Sequence, residues 1–132
     1  DHRAVDQDGN EVCLVDPIPG IDSPCESGFV DRPDDLAVDV IKHLLAQVPQ
    51  LDPKMVDDCI VGCANPEGEQ GLQIGRLISV RALGKDVPGM TVNRYCASGL
   101  ETISIAVAKI RAGMGHCYVA GGAESMSFIP MT

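Results

Sequence analysis

This chain of 132 residues predicts an α/β fold with a mainly parallel sheet, and three observations predict it. Short apolar runs alternate with longer stretches of helical period, in the order β-α-β-α-β-α-β. The best strand candidates, Cys59-Ile60-Val61-Gly62-Cys63-Ala64 and Cys117-Tyr118-Val119-Ala120, stay apolar on successive residues, as strands covered on both faces do. Glycines and prolines punctuate the junctions between patterns. Such an order implies right-handed crossovers, with helices laid against the sheet.

Residues 1–10 are polar and without period, and Glu11-Val12-Cys13-Leu14-Val15 reads as the first strand, ending at Asp16-Pro17. Between Pro17 and Pro33 the prolines and glycines predict an irregular loop. Asp31-Arg32-Pro33-Asp34-Asp35 then opens a helix, with an early proline and acidic residues where the dipole favours them. Leu36, Val40, Leu44 and Val48, beside Ala37, Ile41 and Leu45, form its apolar stripe, expected to pack on the sheet, and Asp39, Lys42, His43 and Gln47 face water. His43, one turn after Asp39, reads as a solvated pair partner. Pro49 ends the helix.

Cys59 to Ala64 is the second strand of the parallel sheet, and Asn65-Pro66-Glu67-Gly68-Glu69-Gln70-Gly71 is a loop at a carboxyl end, where open α/β sheets bind ligands. A helix is expected over Leu72 to Leu83, with Ile74, Leu77 and Ile78 inward, Gln73 and Arg76 outward, and Gly84 as its stop. Met90 to Tyr95 is the next strand. The helix from Ser98 to Ala112 carries Leu100, Ile103, Ile105, Ala106, Val107, Ala108 and Ile110, which leave almost no polar face. A helix of that kind is covered all round, so it implies a layer beyond this sheet. Cys117 to Ala120 is the fourth strand, and Gly121-Gly122 permits close backbone approach at its end.

A net charge of −9 and ten scattered basic residues argue against binding to nucleic acid. No apolar run reaches the roughly 20 residues of a membrane span, and Asp1-His2-Arg3 does not open a signal peptide. Six cysteines, at 13, 25, 59, 63, 96 and 117, contain no C-x-x-C pair and lie in core-like segments, which fits a reducing compartment such as the cytoplasm. Cys59 and Cys63 sit on one face of a strand about 13 Å apart, too far to share one ion with His43 or His116, so no metal site is expected.

Cys96 is the candidate nucleophile. It stands where a strand ends and a helix begins, and at the first turn of a helix unpaired N–H groups and the macrodipole favour thiolate over thiol. The same N–H groups could receive the oxygen anion formed when a thiolate adds to a carbonyl. A lone cysteine in an apolar chain is more often a small buried hydrophobe, so placement alone leaves both readings open.

Asn93-Arg94-Tyr95-Cys96-Ala97-Ser98-Gly99-Leu100, followed by Ala120-Gly121-Gly122-Ala123-Glu124-Ser125-Met126-Ser127, resembles the thiolase family, acetyl-CoA acetyltransferases and 3-ketoacyl-CoA thiolases. The likeness runs from about Asp31 to Thr132. It implies the first half of the N-terminal domain of an αβαβα layered enzyme: 1–30 a divergent N-terminal segment with a first strand, 31–124 the domain core, and 125–132 the start of a following loop region. The family's Arg-Thr-Pro-Phe type sequence after the first strand is not found. The resemblance further implies acyl transfer between acyl-CoA thioesters through an acyl-enzyme on Cys96, with coenzyme A as substrate and product, no other cofactor, and assembly as homodimers or homotetramers. Arg76 matches a family arginine with a structural role near the subunit contact. The activating His, a water-holding Asn and a second Cys belong to the family's second half, so His2, His43 and His116 match no motif and residues 1–132 by themselves are expected to be inactive. The expected location is cytoplasmic, with mitochondrial and peroxisomal location as alternatives. Two alternatives stand beside this reading: a ketoacyl synthase of the same superfamily, and a non-catalytic α/β binding or assembly module in which Cys96 is merely buried.

Overall fold

The computed structural model describes residues 3–5, 11–13 and 32–126. Its core is a parallel three-stranded sheet in the order β4-β3-β5, built from β3 (Asp58–Gly62), β4 (Gly89–Val92) and β5 (Tyr118–Gly122). Cys59 pairs with Gly89 on one side and Val119 on the other, and Gly62 with Val92 and Gly122, so the three carboxyl ends finish level. Three helices accompany the sheet: α1 (Pro33–Gln47), α2 (Ile74–Ala82) and α3 (Ser98–Arg111). The α/β class and the parallel sheet expected from the sequence are therefore both present.

The first strand is different. Glu11–Cys13 (β2) pairs antiparallel with Arg3–Val5 (β1), Arg3 opposite Cys13, in a separate two-stranded sheet. The intervening residues include Asp8-Gly9, a strong hairpin signal. Two strands so close in sequence pair antiparallel, because parallel pairing needs a long crossover. Leu14 and Val15, the loop to Pro33 before its last residues, and residues 127–132 lie outside the described part.

Successive residues of β3 face opposite ways. Cys59, Val61 and Cys63 join Val38, Ile41, Val56, Ile74, Ile78, Leu83 and Val87 in the main hydrophobic core, and Ile60 and Gly62 therefore face α3. The sheet thus carries α2 on one face and α3 on the other, with α1 packed outside α2.

Two expected helix faces are rotated. In α1 the buried positions are Pro33, Asp34, Val38 and Ile41, with Leu45 partly buried, whereas Leu36 is 42% exposed. The reason is an ionic lock: Asp34, 2% exposed, accepts from Arg32 Nε at 3.0 Å and from Arg81 of α2 at 2.6 Å, and Arg81 also pairs with Asp35. This lock turns α1 toward α2, which is its main neighbour in place of the sheet. In α2, Ile74 and Ile78 are buried as expected, but their companions are Gly75 and Ser79, and Leu77 is 41% exposed. Gly75 lies so close to β4 that a Cβ there would stand 2.1 Å from the carbonyl oxygen of Met90. Only small residues fit that contact, so the larger Leu77 is left outward. Arg76 donates to the carbonyls of Lys85, at 2.9 Å, and Val87, a staple within this chain that holds the α2–β4 connection.

On the other face, α3 is buried only along Ser98, Thr102 and Ala106. Thr102 donates its hydroxyl toward Gly99 O at 2.6 Å and Gly121 O at 3.2 Å, tying the helix to β5. Leu100 and Ile103 are 72% and 45% exposed. Within the described residues, then, the nearly all-apolar helix has one covered side. At its far end Lys109 pairs with Asp58 at 3.0 Å and lies over the Tyr118 ring.

Candidate active site

The close fit of α3 begins at Gly62, the last residue of β3. A Cβ there would meet the backbone of Ser98 at 2.6 Å and of Gly99 at 2.7 Å, so glycine is the only residue that lets the head of α3 sit directly on the strand end. At the end of β5, Gly122 is looser, with Gly99 Cα at 3.5 Å from such a Cβ, and Gly121 meets nothing. The close approach expected of Gly121-Gly122 is thus supplied chiefly by Gly62, whose place inside an apolar run gave little signal.

β4 ends at Val92, three residues earlier than expected, because Asn93 starts a turn in place of the strand. The Asn93 carbonyl oxygen Oδ1 accepts from Tyr95 N at 3.0 Å, and Tyr95 takes the left-handed φ of 48°. Such a conformation costs a non-glycine residue about 1–2 kcal/mol and needs outside support. Ser98, 4% exposed, gives part of it: its hydroxyl accepts from Arg94 N at 2.8 Å and donates to Tyr95 O at 2.6 Å.

Cys96 rides on this turn and is exposed, whereas Cys59 and Cys63 are buried and Cys117 is half-buried. Burial pushes the Cys59 thiol up to about 12, and burial together with the nearby Glu124 carboxylate pushes Cys63 up to about 11. Cys117 is shifted upward too, by burial and then by Asp57. Among the described cysteines only Cys96 therefore combines access with a cavity. That cavity, about 420 Å³, opens over the carboxyl ends of the strands and is lined by Gly62, Ala64, Asn65, Tyr95, Cys96, Ser98, Gly99, Gly122, Ala123, Glu124 and Met126. Its place agrees with the ligand crevice of open α/β sheets.

One detail of the expected geometry is corrected. Cys96 is not in the first turn of α3: the helix starts at Ser98, its N-cap is Ala97, and Cys96 stands one residue further out. The N–H groups of Ala97 and Ser98 are already given to Arg94 O and Tyr95 O, each at 3.1 Å. They close the turn and are not available to an oxyanion.

The loop from Asn65 to Gly71 also has a more definite role than its sequence suggested. Gln70, 1% exposed, and Glu124 bind each other at 2.9 Å and link this loop to the end of β5. The motif containing Glu124 was visible in the sequence, but its partnership with Gln70 was not, since the two lie 54 positions apart. His43 and His116 stand outside the cavity lining, and among the described residues no group of three or more His, Cys, Asp or Glu could hold a metal ion. No described helix is long and apolar enough to cross a membrane.

The thiolase N-terminal domain model matches residues 29–132. The 3-ketoacyl-CoA thiolase of Bacillus subtilis (strain 168) is 48% identical over 101 residues, covering 76% of this chain and 26% of that protein. A 3-ketoacyl-CoA thiolase of Saccharophagus degradans is 46% identical over 101 residues, with the same coverage. The 3-oxoadipyl-CoA/3-oxo-5,6-dehydrosuberyl-CoA thiolase of Escherichia coli (strain K12) is 44% identical over 100 residues, 75% of this chain and 25% of that protein. The chain spans about a quarter of the length of these curated relatives.

Proposed function

The chain belongs to the thiolase family, whose N-terminal domain model matches residues 29–132, and on that premise we propose that it supplies the nucleophile, Cys96, for acyl transfer between acyl-CoA thioesters. The observation that carries this reading is the exposed Cys96 in a cavity at the carboxyl ends of a parallel sheet, with the described alternatives Cys59 and Cys63 buried.

In the thiolytic direction the Cys96 thiolate adds to the 3-keto carbonyl of a 3-ketoacyl-CoA. The bond between the α and β carbons then breaks, releasing acetyl-CoA once the departing carbanion takes a proton and leaving the shortened acyl group as a thioester on Cys96. Coenzyme A, as thiolate, attacks that thioester and frees the cysteine. In the reverse direction two acetyl-CoA condense. A thiol suits both halves, being a strong nucleophile and a good leaving group. The relatives named 3-ketoacyl-CoA thiolase and 3-oxoadipyl-CoA thiolase point to 3-oxoacyl thioesters as the substrate class. The thiolase resemblance implies an activating His, a water-holding Asn and a second Cys that match no motif in this sequence, so residues 1–132 by themselves are inactive. We also propose a cytoplasmic homodimer or homotetramer, in which the exposed Leu100 and Ile103 of α3 are covered by a further layer.

In the complete polypeptide carrying these residues, Cys96→Ala abolishes acyl transfer and leaves folding intact, because one exposed sulfur is removed. Acyl-CoA thiolysis followed through loss of the ketoacyl chromophore, beside circular dichroism, checks this. A folded variant with near-full activity would refute the assignment.

A further inference from the structure

We propose that Glu124 is a positioning residue for Cys96, acting through Ala64 and Asn93; the proposal rests on the reading of Cys96 as the nucleophile.

Both carboxylate oxygens of Glu124 are taken by protein donors. Oε2 accepts from Ala64 N at 2.6 Å, and Oε1 accepts from Asn65 N at 3.2 Å, from Gln70 Nε2 at 2.9 Å and from the Cys63 thiol at 3.6 Å. Gln70 is fixed in its turn, donating to Asn65 O at 2.9 Å and accepting from Ser125 N. The loop after β3 is therefore clamped to the end of β5 by one side chain. From there the hold passes on. Ala64 O accepts from Asn93 Nδ2 at 3.0 Å, and Asn93 Oδ1 accepts from Tyr95 N at 3.0 Å. Tyr95 is the left-handed residue that immediately precedes Cys96. The relay thus ends on the one strained position of the nucleophile turn, and Ala64 and Glu124 line the same cavity as Cys96.

A carboxylate is the group this clamp requires. An amide at position 124 has one acceptor oxygen and one NH₂, and whichever way it turns the NH₂ meets an N–H donor. Release of Ala64 would free Asn93 and with it the Tyr95 N–H. A displacement of about 1 Å at a reacting group is enough to slow chemistry on the order of 100-fold.

The test uses the complete polypeptide. Glu124→Gln is expected to lower kcat about 10–100-fold while KM moves less than about threefold, and to speed hydrogen exchange of the Tyr95 amide. Asn93→Asp, at an exposed position, keeps the acceptor for Tyr95 N and removes the donor to Ala64 O, so it should give the same kcat loss and, combined with Glu124→Gln, no further loss. A folded Glu124→Gln with kcat within about twofold of the parent, or with unchanged Tyr95 exchange, overturns the proposal. If Glu124→Gln does not fold, Asn93→Asp decides: parental kcat overturns the relay, and a loss with faster Tyr95 exchange supports it. Cys96→Ala in the same assay separates the two readings, since activity retained there removes the nucleophile and not the clamp, which the Tyr95 exchange still reports.

Discussion

The two faces of the sheet are built on opposite plans. The face toward α2 is filled by large apolar side chains, Val38, Ile41, Val56, Ile74, Ile78, Leu83 and Val87, with Cys59, Val61 and Cys63 beneath them. Against α3 the strand offers one large side chain, the fully buried Ile60, beside Gly62, and the helix answers with the small residues Ser98, Thr102 and Ala106, while its larger residues Leu100 and Ile103 point away. The first plan removes much apolar area from water and stabilises the fold. The second removes less, chiefly through Ile60, but at Gly62 it brings backbone against backbone and so fixes where the head of α3, and the cysteine turn before it, must lie. Stability and positioning are divided between the two sides of one central strand.

That division is open to direct attack. The largest stability effect is expected from Ile78→Ala, fully buried on the α2 side: a loss of about 2–5 kcal/mol, read from urea midpoints of the complete polypeptide, while kcat of the folded fraction stays within about twofold of the parent. A kcat that falls in step with stability would show that the two faces are not separable. Gly62→Ala should cost less stability, about 1–3 kcal/mol for a methyl forced onto the Ser98 backbone. Yet it should lower kcat more than Ile78→Ala does, because α3 must lift off the strand end. Parental kinetics in a folded Gly62→Ala would end the positioning argument for that face.

The smallest effect concerns alkali. Cys59 and Cys63 have folded values of about 12 and about 11, raised above the 9.0 of a free thiol. A raised acid is held neutral in the fold, so its contribution is complete below pH 9 and is lost as pH climbs toward 11–12, where the unfolded chain alone gives up the protons. Stability should then fall by on the order of 1 kcal/mol per pH unit per thiol in that window. Cys63→Ser and Cys59→Ala would flatten the slope, and equal slopes in parent and variants would contradict the burial argument. Over the same range brief alkylation should mark Cys96 long before either buried thiol.

Local signals were legible, and contacts across the chain were not. Pro33 and Pro49 bracketed α1, the run Cys59 to Ala64 announced β3, and the Asn93–Leu100 motif gave the cysteine turn. The inward faces of α1 and α2 were misjudged because both helices are apolar on more than one side. What chose the face was Arg81, 47 residues from Asp34, and the backbone of Met90 beside Gly75. The Arg3–Val5 strand was hidden because three residues are too few to show an alternation. The Gln70–Glu124 clamp could be found only once β3 and β5 were laid side by side.

The order of the strands has a consequence for synthesis. β3 is the middle strand, but its neighbour β5 lies some sixty positions downstream, with Asp58 opposite Tyr118. A ribosome adding 5–20 residues per second needs roughly 1–5 s to pass from Val92 to Tyr118. During that interval Cys59-Ile60-Val61 would present an open, apolar strand edge, and the cysteine turn would exist without the residue that clamps its neighbour loop. Emergence of the segment 118–124 closes the edge and braces the turn in one event, so a nascent chain halted before it is the form in which this sequence would be most exposed to chaperones and to mispairing.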